Sequence, residues 1–172
     1  MSLTLEQFKK EALAFWRQKQ TQALKEGCLN PQIKLWGAKE SIDISPPAEV
    51  LNAVESPLDL LPPILRKLGV QGFVMVCETW MVQGRKDEDP GDTNFTKDLA
   101  KARRLNYHPQ RIEALCAMIG HCDYSAMRFK PMIRTGSSES DKLVGLGTEE
   151  VSEGGQGMEG RFEICRRMLV RE

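Results

Sequence analysis

An α+β domain, with N-terminal helices packed on a mainly antiparallel sheet of three to five strands, is the fold class this sequence predicts. Three observations lead there. Residues 5–25 repeat apolar side chains at helical spacing, Gly72–Val82 is the densest β-forming run, and two further β-like runs flank a turn at His121-Cys122-Asp123. Helices come first and strands follow, in the order expected of segregated layers.

The first helix places Phe8, Ala12, Phe15 and Trp16 in one apolar stripe. Thr4 and Gln7 are spaced as a capping box, Leu3 and Phe8 as a hydrophobic staple, and Gly27 as the stop. From Cys28 to Ile44 the pattern is irregular, with a turn signal at Asn30-Pro31, and no regular element is predicted. Ser45-Pro46-Pro47 opens a short helix reaching about Val54. A second short helix is expected over Leu60–Leu68, capped by Asp59, stopped by Gly69, and facing Ile64, Leu65 and Leu68 to the core.

Gly72–Val82 follows as a strand. Alternation puts Phe73, Met75, Cys77, Thr79 and Met81 on one face and Val74, Val76, Glu78, Trp80 and Val82 on the other. Both faces are largely apolar, so the strand should be central and covered twice, by helices, a second sheet or another subunit. Residues 84–110 form a long connection, charged and turn-rich in its first half and with a helical turn expected over Phe95–Arg104. Arg111–Gly120 and Tyr124–Arg134 read as a β-hairpin. Residues 135–160 form a flexible connection rich in Ser, Glu and Gly, with an edge strand near Lys142–Leu146. The C-terminal run alternates Phe162, Ile164, Met168 and Val170 with charged residues, a period of two that predicts a last strand. The 172 residues suit one domain.

Charge and composition narrow the function. Lys and Arg number 24 against 24 Asp and Glu, so the formal net charge is zero. No global field favours nucleic acid or a membrane surface, and neutral proteins tend to associate with themselves. Cys28, Cys77, Cys116, Cys122 and Cys165 form no CxxC pair and read as reduced thiols of a cytoplasmic protein. Residues 1–25 lack the apolar core of a signal peptide, and the longest apolar run, Ala114–Ile119, is too short to cross a bilayer.

Glu78 is the residue on which structural and functional readings compete. A carboxylate on a covered face must be paired, hydrogen-bonded or protonated. Arg111, Arg128, Arg166 and Arg167 are the partners the strands offer, and an internal ion pair is the favoured account. The alternative is a pocket in which Glu78 and Glu113, with Glu163 as a further carboxylate, perform acid–base or metal chemistry while Trp80, Arg111 and Arg128 bind a ligand.

Cys116, His121, Cys122 and Asp123 superficially suggest a metal site. They lack paired zinc spacings, and adjacent His121-Cys122 promises poor tetrahedral geometry, so structural thiols and an exposed turn histidine are expected. His108 has no visible partner. Asp87–Asp92 fails the spacing of a calcium loop. The glycines 155, 157 and 160 match GxGxxG without a βαβ context. Basic clusters at Lys97, Lys101, Arg103 and Arg104, and at Arg128, Lys130, Arg134, Arg166, Arg167 and Arg171, read as solvated faces before a nucleic-acid surface. No HExxH, GxSxG or P-loop pattern is present. The expectation is a small interaction or structural module, a homo-oligomer, without metal or cofactor and leaning away from catalysis.

Overall fold

The structure, a computed structural model, describes residues 3–82, 111–136, 140–154 and 160–171. Helix α1 spans Leu5–Glu26, with the Thr4–Gln7 capping box formed and Gly27 closing it at φ 80°. The hairpin β1 (Gln32–Trp36) and β2 (Ser41–Ile44) follows, then α2 (Ala48–Asn52), a 3₁₀ turn over Pro57–Leu60 and α3 (Leu61–Leu68). Strands β3 (Gly72–Val82), β4 (Arg111–His121) and β5 (Tyr124–Arg134) are each 11 residues long. β6 (Leu143–Leu146), β7 (Glu150–Glu153) and helix α4 (Arg161–Arg167) complete the described elements.

The class is α+β, and the sheet has seven strands where the sequence predicts three to five. Every pairing is antiparallel, in the order β2-β1-β3-β4-β5-β6, with β7 also on β5. The extra strands have physical reasons for escaping notice. β1 and β2 hold five and four residues, too few to establish a period, and β7 is exposed along its whole length, with no apolar alternation to read.

The central strand is covered on both faces by the chain's own helices. Val74 and Val76 pack with Phe8, Ala12, Phe15 and Trp16 of α1. Phe73, Met75 and Cys77 pack with Leu61 and Leu65 of α3 and Phe162 and Cys165 of α4. Of the three covers that an apolar two-sided strand allows, helices are the one realised here. Two glycines let the aromatic rings settle directly on the sheet. A Cβ on Gly72 would lie 2.5 Å from Phe8, and one on Gly120 would lie 2.5 Å from Phe73.

Other expectations are corrected. The C-terminal run is helical, because Phe162, Cys165 and Leu169 bury one face at helical spacing while Ile164 and Val170 are exposed. Asp59 does not cap α3. Ser56 caps the 3₁₀ turn, with Asp59 as the reciprocal member of its capping box. Leu68 is exposed, and Leu61 takes its place beside Leu65 in the core. The helical turn expected over Phe95–Arg104 lies outside the described residues, as do His108, the acidic loop 87–92 and the basic cluster 97–104. No helix among the described residues is long and apolar enough to cross a membrane.

Candidate functional site

Register decides which charged residues can meet. Along β3 and β4, Cα partners are Glu78 with Leu115 and Trp80 with Glu113, so Glu78, Trp80 and Glu113 share the α1 face of the sheet. The register therefore puts two of the glutamates named from the sequence on one face with Trp80. The chemistry there is set by partners the sequence leaves unnamed.

Arg134, at the far end of β5, grips Glu113 with both arms of its guanidinium: Nε donates to Oε2 at 2.7 Å and Nη2 to Oε1 at 2.5 Å. Its Nη1 donates to the carbonyls of Gly27 and Asp141 at 3.1 and 3.0 Å. The pair is nearly dry, with side-chain exposures of 7% for Arg134 and 13% for Glu113. One arginine therefore ties β4, β5, the C-terminal cap of α1 and the chain leading into β6. Glu78 accepts a 2.5 Å hydrogen bond from the backbone N–H of Leu29, fixing the segment that leaves α1, and its charge also supports that of Arg134. Trp80 is half-buried beside them.

Three of the four arginines expected to partner Glu78 pair with other carboxylates. Arg128 donates to Glu149 Oε2 at 2.6 Å, and the other oxygen of Glu149 accepts from the indole of fully buried Trp16 at 2.5 Å. Arg166 and Arg167 pair with Glu163 across one turn of α4, which draws Glu163 away from the sheet carboxylates. Those bonds, Arg166 first, hold the Glu163 carboxyl down at about 2. Arg111 takes its backbone place in β4 opposite Val82. Of the second basic cluster, Arg128, Arg134, Arg166, Arg167 and Arg171 are each in an ion pair.

Three thiols are embedded in the core. Cys77 and Cys116 are cross-strand partners; burial, and secondarily the charge of Glu78, pushes the Cys77 thiol up to about 12, and burial raises Cys116 well above the usual range. Burial likewise pushes Cys165 up to about 11. A thiol held protonated is a poor nucleophile.

At the opposite end of β4 the two-residue turn Cys122-Asp123 curls the chain tightly. His121, expected as an exposed turn residue, is 7% exposed and sits 5.1 Å from the ring of Phe8. Its Nδ1 accepts a 3.2 Å bond from the Asp123 N–H. Cys122 Sγ lies 3.5 Å from that Nδ1 and 3.5 Å from Asp123 Oδ2. A cavity of about 310 Å³ opens here, lined by Leu3, Leu5, Gln71, His121, Cys122, Asp123, Val170 and Arg171. A second of about 290 Å³ lies beside the β1–β2 turn, where Trp36 donates to Glu11 at 2.6 Å. The geometric objection to grouping His121 and Cys122 is removed by the turn, which swings their side chains toward one point.

The residues sequence reasoning misses are therefore Arg134, Glu149 and Gln71. Arg134 has a partial signal, a basic residue at the C-terminal end of a hairpin strand whose antiparallel partner carries Glu113 near its N-terminal end, though nothing there singles it out from the rest of its basic cluster. Glu149 and Gln71 offer none. No protein-family model, curated protein or solved structure matches this chain.

Proposed function

We propose that this chain is a small interaction or structural module that works by holding a shape, without acid–base chemistry of its own. The observation that carries the reading is the Glu113–Arg134 pair. A catalytic carboxylate needs a free oxygen and a proton to exchange, whereas both oxygens of Glu113 are engaged by a guanidinium that also caps α1. Glu78 serves the backbone at Leu29, and the core thiols are held protonated. The test is the thermal stability of Glu78→Ala and Glu113→Gln. Removing a structural partner leaves a buried group unsatisfied and should cost about 1–3 kcal/mol at Glu78 and about 3 kcal/mol at Glu113. Replacing catalytic residues is commonly neutral or stabilising, so unchanged or raised melting temperatures would favour a pocket with Trp80 over this reading.

Self-association is the second reading. Its support is exposed Val144 on β6 and Val151 on β7, both on the β5 side of the sheet, together with zero net charge. Sedimentation velocity over a wide concentration range should show a dimer that weakens on Val144→Lys or Val151→Lys. A single monomeric species at every concentration would contradict it.

A further inference from the structure

The His121-Cys122-Asp123 turn is left unused by the reading above, and its chemistry stands independently of it. We propose that His121 Nδ1, Cys122 Sγ and Asp123 Oδ2 together bind one divalent transition-metal ion of the zinc type. The three residues offer an imidazole nitrogen, a thiolate and a carboxylate, a mixed donor set that zinc accepts. One ligand atom from each residue lies within 4.8 Å of the others, and Sγ stands 3.5 Å from both Nδ1 and Oδ2. A tetrahedral zinc with bonds of about 2.3 Å to sulfur and about 2.0–2.1 Å to nitrogen and oxygen separates its ligand atoms by about 3.5 Å. The shell is thus close to assembled.

The tautomer favours the same atom. Because Nδ1 accepts from the Asp123 N–H, it carries the lone pair and Nε2 carries the ring proton. An arriving ion replaces that N–H, and the released amide turns to water at the exposed Asp123. The Cys122 thiol loses its proton to the buffer as the sulfur–metal bond forms, so affinity rises with pH. Gln71 borders the cavity beside the cluster. It is 6% exposed, and its Oε1 has no hydrogen-bond partner.

Two cations oppose the ion. Arg171 lies 3.4 Å from Asp123 Oδ1, leaving Oδ2 for the metal, and Arg166 donates to the Cys122 carbonyl at 3.0 Å. The Arg171 side chain is 74% exposed and free to swing outward. Its removal should therefore tighten binding.

The experiment titrates Zn²⁺ into the chelator-stripped full chain against a chromophoric chelator, with Co²⁺ as the optical probe. One ion per chain is expected, with cobalt–thiolate charge-transfer absorption. Cys122→Ser and Asp123→Asn should each weaken binding at least about tenfold, and Cys122→Ser should abolish the charge-transfer band. Arg171→Gln should raise affinity severalfold, and Cys28→Ser, at an exposed thiol outside the turn, should change nothing. Cys122 and Asp123 occupy a surface turn, so these variants fold even where His121→Asn, buried against Phe8, does not. Absence of binding to the intact chain, or binding that survives both turn variants unchanged, overturns the proposal.

Discussion

At the scale of single residues, the fold spends its internal charges on joints between elements. Arg134 on β5 reaches three other segments through one guanidinium, and Arg128 joins β5 to Trp16 of α1 through Glu149. Such pairs are costly to break one-sidedly, since the surviving partner keeps its desolvation without its bond. Glu163 is a milder case on α4. Its carboxyl is held at about 2, below the ordinary 4.5, chiefly by Arg166. A depressed carboxylate stabilises the folded state above its ordinary value and loses that contribution as the pH falls from 4.5 toward 2. Thermal melts of the parent and Glu163→Gln should therefore differ by about 0.5 kcal/mol near neutrality, a figure suited to partly exposed pairs, and converge toward pH 2. A constant gap across that range would contradict the pairing. Glu78 was legible in the sequence, because a lone carboxylate in an apolar strand announces itself. Its company was not, because choosing Arg134 among six basic residues of that cluster needs the register of β4 against β5 and the path of the chain after α1.

Among elements, period and length decide what could be read. α1, 22 residues long, carries a capping box and an apolar stripe, and its ends fall within a residue of the expectation. The long strands β3, β4 and β5 also follow their composition. α4 shows how a short run deceives: seven residues support a period of two or of 3.6 equally well by hydropathy. The discriminating signal was charge, with Glu163 three and four positions before Arg166 and Arg167. The glycines at 72 and 120 belong to this scale too, since each lets a helix-borne or cross-strand ring lie flat on a strand. Gly72→Ala would drive a methyl group into Phe8 and should cost about 1–3 kcal/mol by forcing α1 outward. Chemical denaturation measures it. A neutral result would mean that Phe8 is not seated as described.

Across the whole described molecule, one antiparallel sheet lies between α1 on one face and the 3₁₀ turn, α3 and α4 on the other. This explains why β3 is apolar on both sides without invoking another subunit. It also explains why the charged residues of the α1 face had to be paired internally: that face is roofed by Phe8, Phe15 and Trp16, and an unpaired carboxylate beneath it would be destabilising. The N-terminal helix and the C-terminal helix thus close opposite sides of the same central strand, linking distant stretches of sequence. The central claim is that the carboxylates beneath α1 hold this layer in place. A double-mutant cycle on Glu113→Gln and Arg134→Met, followed by global denaturant unfolding, tests it most directly. Each single variant should lose about 3 kcal/mol and the double variant clearly less than their sum, with a coupling of at least about 1 kcal/mol. Additive losses, or a Glu113→Gln chain as stable as the parent, would contradict it.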